Sequence, residues 1–200
     1  MTANSIYGYS INFTDKRLLD IAEGVRQKTE TIEGQYEYWP VDGIITRNLI
    51  APILTRDGYV PMRWGYTRER VKNYRTIYFD NAMTKVVLKR RLITRRCVIP
   101  VREYYILTRV KSSRTMYRVY NPDEDIYFAG CYLEWLDDPL YRFVILTKPL
   151  IEGIRSQNRL MPMVLKPRQH DAWINGYPSQ VEYTPPRLSC RELPPENAVE

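Results

Sequence analysis

Histidine is almost missing from this chain: His170 is the only one in 200 residues. A centre built from several histidines is therefore excluded, and a catalytic triad would depend on that single imidazole. Cysteine is scarce too. Cys97, Cys131 and Cys190 are too far apart for a zinc ligand set and too few for a disulfide framework. The nine glycines are scattered, with no GxGxxG or GxxxxGK pattern, so no glycine-rich phosphate loop is present. No run of ~18 apolar residues occurs, which argues against a membrane-spanning helix. The first ten residues lack a basic stretch followed by an apolar one and do not read as a secretory signal. The expectation is a soluble, intracellular chain, cytoplasmic, with neither metal nor cofactor.

Positive charge and tyrosine are abundant. Thirty Lys and Arg outnumber 23 acids, for a formal charge of +7, and 17 residues are tyrosine. The surplus is local. Residues 63–118 hold 16 basic and 3 acidic side chains, whereas residues 1–62 carry a net −2 and residues 119–200 a net −4. Concentrated cations attract polyanions by releasing their condensed counterions, and nucleic acid is the commonest such partner. A solvated basic face without a partner is the plain alternative.

Hydrophobic spacing predicts a helix over residues 14–29, capped by Thr14, with Leu18, Leu19, Ile21, Ala22 and Val25 on one face. Residues 35–62 read as irregular extended structure and then a strand, with Asp57-Gly58 as a hairpin turn into a strand over 59–66. A second helix is expected over 81–95, with Met83, Val86, Val87 and Leu88 inward and Lys89, Arg90 and Arg91 outward. Strands follow at 98–99, 104–110, 116–120, 127–135 and 141–147, then helices at 149–156 and 167–175. The tail from Pro178 holds five prolines and is expected to be extended, without regular structure. The organisation is an extension over 1–6, a domain over 7–177 and a proline-rich tail over 178–200.

Enzyme apparatus is sparse. His170, in Lys-Pro-Arg-Gln-His-Asp, reads as an exposed histidine at a helix start. Cys97 follows two arginines, which would lower a thiol pKa, but it also opens an apolar run; it reads as a buried strand cysteine, and Cys131 as core. Asp123, Glu124 and Asp125 read as a solvated turn, and Glu134 as a candidate for burial and pairing. Asp80, in an apolar stretch, is expected to be buried and to pair with an arginine.

Aromatics and cations interleave. Trp64, Tyr66, Tyr74, Tyr78 and Phe79 lie among Arg63, Arg68, Arg70, Lys72 and Arg75. Rings that stack on bases, beside cations that neutralise phosphates, suit single-stranded nucleic acid. The candidate nucleic-acid residues are Arg63, Trp64, Arg68, Arg70, Lys72, Arg75, Tyr78 and Arg90. The competing reading is that these rings fill the core.

A collinear series of motifs carries a resemblance. Tyr7-Gly8-Tyr9-Ser10-Ile11 and Arg63-Trp64-Gly65-Tyr66 come first, then Arg95-Arg96-Cys97-Val98-Ile99-Pro100 and Tyr104-Tyr105-Ile106-Leu107. Ala129-Gly130-Cys131-Tyr132-Leu133-Glu134-Trp135, Val144-Ile145-Leu146-Thr147 and Arg159-Leu160-Met161-Pro162 complete it. In this order the chain resembles the SOS response-associated peptidase family. Its members read Met-Cys-Gly-Arg-Phe, Arg-Trp-Gly-Leu, Asn-Ala-Arg-x-Glu-Thr, Arg-Arg-Cys-Leu-Val-Pro, Tyr-Tyr-Glu-Trp and His-x-Arg-Met-Pro. The resemblance implies an α+β fold around a curved, barrel-like, mostly antiparallel sheet with a few flanking helices. It also implies a basic cleft for single-stranded DNA and an N-terminal cysteine that links to abasic sites, assisted by an Asn, a Glu and a His.

The departures fall on those chemical groups. Tyr7 stands at the cysteine position, Thr76 at the asparagine, Tyr78 at the arginine two places on, Ile106 at the glutamate and Asn158 or Gln157 at the histidine. An isoleucine moves no proton and a tyrosine forms no thiazolidine. The resemblance thus implies a degenerate member, a pseudoenzyme that binds single-stranded or damaged DNA. A protein-interaction or inhibitory role, as in a viral protein reusing the fold and acting in the host cytoplasm, is the alternative, with the basic face or the proline-rich tail as contact. A third reading keeps an enzyme with relocated groups drawn from Thr2, Asp80, Glu134 or Cys97.

Overall fold

The computed structural model describes residues 5–11, 20, 23–24, 44–68, 72–110, 113–135, 138–149, 160–181 and 187–194. The helix expected over 14–29 lies outside them apart from the helical Asp20, Glu23 and Gly24, and the one expected over 149–156 lies almost wholly outside. The architecture is α+β.

One five-stranded antiparallel sheet has strand β1 (Ser5–Ser10) between β2 (Ile44–Ile45) and β9 (Glu103–Val110), followed by β10 (Ser113–Tyr120) and β15 (Ser189–Glu192). The larger sheet curls. From β12 (Asp138–Pro149) it runs through β4 (Gly58–Trp64), β3 (Ile50–Thr55), β8 (Arg96–Val101) and β11 (Ile126–Trp135), and β11 pairs back onto β12. That closed circuit is the barrel-like element expected. It is mixed: β12 runs parallel to β4 and to β7 (Thr76–Tyr78). Strands β13 (Leu160–Pro162) and β14 (Val164–Leu165) extend it, and β5 (Tyr66–Arg68) pairs with β6 (Lys72–Tyr74) as a separate ribbon.

Alternation along the strands builds two cores. Cys97, Ile99 and Val101 of β8, with Phe128 and Phe143, join Ile6, Tyr9 and Tyr104 of the first sheet in one cluster. Val98, Ala129, Cys131, Val144 and Leu146 point the other way, against the helices. A strand buried on both faces carries apolar residues at every position, which is why 97–101 reads as one apolar run. The Asp57-Gly58 turn forms as expected: Gly58 takes φ +95°, and the Thr55 hydroxyl donates to its carbonyl at 2.9 Å.

Three expectations are corrected. The helix over 81–95 is two helices, α1 (Phe79–Thr84) and α2 (Val86–Thr94), broken at an extended Lys85. The break turns α2 so that Leu92 is buried and Val86, expected inward, is 83% exposed. The strand over 59–66 stops at Gly65, whose φ of +83° ends it before β5. The tail is not without regular structure: Pro178–Gln180 form a 3-10 turn, and the window 187–193 holds no proline, so its N–H groups are free to pair, and Cys190 faces Val119 in β15. The helix over 167–175 forms, as a 3-10 turn at Pro167–Gln169 and then α3 (His170–Asn175) with Trp173 and Ile174 buried.

Candidate nucleic-acid interface

Tyr7 sits where the β1–β9 register slips: Ile6 faces Ile106, and Gly8 faces Tyr105. A bulge of this kind re-aims the side chain of the extra residue. Its neighbour must be glycine. A Cβ on Gly8 would lie 2.3 Å from Ile44 Cγ2 and 2.7 Å from the Ile45 carbonyl oxygen.

The Tyr7 ring lies within electrostatic reach of Arg75, which is also close to Arg47. Burial, and then Arg47, push the Arg75 guanidinium down from the ordinary arginine value, and Tyr7 works in the opposite sense. Arginine nonetheless stays charged. Among the described residues no carboxylate pairs with Arg47 or Arg75.

The backbone around these cations is tightly held. The Arg75 carbonyl accepts from the Trp64 indole Nε1 at 3.1 Å and from the Ile145 amide at 3.0 Å. Arg63 donates to the Asn48 carbonyl at 2.8 Å, and Asn48 has φ 70°. Arg142, the register partner of Arg63, donates to the Gly65 carbonyl at 3.2 Å. A Cβ on Gly65 would meet the side chains of Arg47 and Arg75 at 3.5 and 3.8 Å. Arg47, Arg63, Arg75 and Arg142 are thus gathered around the Trp64-Gly65 corner.

Of the candidate residues, Arg63 and Arg75 meet here. Arg68 and Lys72 face each other in the β5–β6 ribbon, while Arg70, between those strands, lies outside the described residues. Trp64 is a core residue: its ring is fully buried edge-on to Tyr9, 5.4 Å away, and its N–H is used internally, so no base can stack on it. Phe79 is likewise buried. The Tyr78 hydroxyl donates to Asp80 Oδ2 at 2.5 Å, and Asp80 is exposed, neither buried nor paired with an arginine. Arg90 lies on α2, in a different cleft with Arg91, Thr94, Arg95 and Glu134. Thr76 pairs with Ile145 in β7, Ile106 is buried, and Asn158 lies outside the described residues. Arg47 and Arg142 were not anticipated, because each sits in a segment whose net charge is negative.

The remaining titratable groups separate clearly. Cys97 and Cys131 are buried as expected, and burial pushes Cys131 up to about 12 and Cys97 well above the ordinary thiol. His170 is not exposed: it is half-buried, its ring centroid 4.4 Å from that of Tyr127, and burial lowers its pKa to about 4. Asp125 is not solvated either, since it pairs with Arg102 at 3.4 Å with only 12% of its side chain exposed. Glu134 is paired, with Arg95 at 2.8 Å, but exposed. No group of three or more His, Cys, Asp or Glu suited to a metal occurs among the described residues. None of the described helices is long and apolar enough to cross a membrane.

The sequence profile of the SOS response associated peptidase (SRAP) family matches residues 9–192. Three solved structures share the fold. A protein from Bacteroides thetaiotaomicron superposes with TM-score 0.70 at 16% identity, covering 95% of this chain and 93% of its own. A protein from Bordetella bronchiseptica gives 0.65 at 12% identity, covering 95% and 100%. A phage-related protein from Bordetella bronchiseptica gives 0.57 at 16% identity, covering 75% and 80%. No curated protein matches the chain in sequence.

Proposed function

The chain belongs to the SOS response associated peptidase (SRAP) family, and from that premise we propose that it binds single-stranded or damaged DNA without the family's covalent chemistry. The observation that carries this reading is the arginine cluster beside the Tyr7 bulge, where Arg47 and Arg75 have no carboxylate among the described residues. A half-buried cation without a counter-charge favours an arriving anion, and phosphate is the anion that a row of guanidiniums fits. The half-buried phenol of Tyr7 supplies a ring beside those cations, as stacking on a base requires.

Support for lost catalysis is chemical. Tyr7, Thr76, Ile106 and Asn158 occupy the positions that the resemblance assigns to nucleophile and assisting groups. Neither hydroxyl can close a ring on an aldehyde as an N-terminal cysteine does, and Ile106 transfers no proton. One structural relative is named a phage-related protein, which accords with a setting in a mobile genome.

Fluorescence anisotropy against a labelled single strand, across a salt series, tests the binding. Arg75→Glu and Arg47→Glu should each weaken it about tenfold or more at low salt, uniformly across sequences, and flatten the salt slope. Binding unaltered by both variants would remove the proposed interface. An abasic strand tests the chemistry: a covalent adduct that survives denaturing electrophoresis would refute the pseudoenzyme reading.

A further inference from the structure

The outer face of α2 is not used by the arginine cluster described above. Val86, Arg90 and Ile93 fall on one stripe of this helix, opposite Leu88, which packs on the core, and away from the fully buried Leu92. Val86 is 83% exposed and Ile93 39%. Beside them an open cleft of about 580 Å³ is lined by Arg90, Arg91, Thr94, Arg95 and Glu134. Arg95 is taken: it pairs with Glu134 and lies 5.8 Å from the centroid of the Tyr141 ring, itself 40% exposed. Arg90 and Arg91 have no carboxylate partner among the described residues. The sequence supplies none nearby either, since no acid occurs between Asp80 and Glu103. Arg91, in the last turn, complements the helix C-terminus; Arg90 has no such role.

Charge and apolar surface together select the occupant. A phosphate backbone would answer the arginines, but it would leave Val86 and Ile93 in water. A peptide carrying both carboxylates and aliphatic side chains answers everything on the stripe. We propose that α2 is a docking surface for an acidic protein segment, whose carboxylates pair with Arg90 and Arg91 while its aliphatic side chains cover Val86 and Ile93.

The test is fluorescence anisotropy with the intact protein. The probes are a fluorescein-labelled peptide of Glu, Asp and Leu with leucines at helical i, i+3, i+7 spacing, and the same peptide with alanine for leucine. The leucine peptide should bind, and Arg90→Glu and Val86→Asp should each weaken it by roughly tenfold. Both sites are at the surface, and circular dichroism melting checks that the variants stay folded. Arg75→Glu, in the other cluster, should leave peptide affinity unchanged. Absence of peptide binding overturns the proposal. So does equal affinity for the alanine peptide or for Val86→Asp, which would mean charge attraction alone. A labelled single strand that loses more affinity than the peptide through Arg90→Glu would overturn it in favour of a nucleic-acid face.

Discussion

Arg96 offers the most direct energetic test of the fold. Its side chain is buried, and its guanidinium lies between the ends of two helices. It donates to the carbonyls of Leu92 at 2.9 Å and Ile93 at 2.7 Å, in the last turn of α2. It also donates to Ile174 at 3.1 Å, and to Trp173 and Gly176, at the end of α3. Helix ends carry carbonyls without intrahelical partners and a partial negative charge, and one planar cation with five N–H donors serves both ends. Burial, and then Arg56, lower its pKa from the ordinary arginine value. Hydrogen bonds to a charged group contribute about 1.5–3 kcal/mol each, and a stranded buried carbonyl costs about 1–3 kcal/mol. These terms do not add, because water re-enters at the edge of the site. Arg96→Ala should still cost about 4 kcal/mol, a large part of the ~5–15 kcal/mol that holds a domain together. With a urea m-value of about 2 kcal/mol/M, the midpoint should fall by roughly 2 M at unchanged m. Arg96→Lys keeps the charge but not the fork and should recover about half of the loss or less. A midpoint shift under about 0.5 M, or a lysine variant equal to the native protein, would refute the double-cap account.

Three further outcomes follow from the geometry. Gly8→Ala should destabilise by about 1–3 kcal/mol, because the new methyl meets Ile44 and the Ile45 backbone; chemical denaturation measures it. His170 is neutral when folded, with a pKa near 4, and takes up a proton near 6.5 when unfolded, so the unfolded state binds more protons between those values. Stability should therefore fall as pH drops from about 6.5 to 4, by roughly 1–2 kcal/mol after screening at a half-buried ring, and His170→Gln should remove that slope in a pH series of melts. Native protein should expose one thiol to a disulfide reagent, Cys190, and all three only after denaturation, since Cys97 and Cys131 are buried with raised pKa values.

Much of the sheet was legible because β structure alternates or runs continuously apolar. Residues 104–110, 116–120, 127–135 and 141–147 fall within β9, β10, β11 and β12. Residues 81–95 failed for a physical reason: periodicity sees the apolar face of a helix but not a one-residue break, and the extended Lys85 re-phases everything after it. Trp64 failed because composition does not say which face a ring points to, and the Tyr9 and Phe143 neighbourhood claims it. Arg47 and Arg142 were hidden by averaging charge over long segments, whereas the fold joins them through β-pairing and the Gly65 turn. His170 read as exposed from its polar neighbours, yet Tyr127 of β11 covers one side of its ring.

The arginine cluster is held independently of the positions where the resemblance expects chemistry. Arg75 is placed by its carbonyl, which ties β7 to Trp64 and to β12 through two hydrogen bonds in the core. Arg63 and Arg142 are placed by β4–β12 pairing, and Tyr7 by a bulge that the packing of Gly8 enforces. Each anchor engages the main chain, and none uses the side chain at position 76 or 106. The contacts that place the cations are also contacts that the fold needs. Position 106 is different: Ile106 is buried in its strand, and packing there favours isoleucine over a charged glutamate. Ile106→Glu measures that preference. It should cost about 1–3 kcal/mol of stability. An Ile106→Glu protein as stable as the native one would refute that preference.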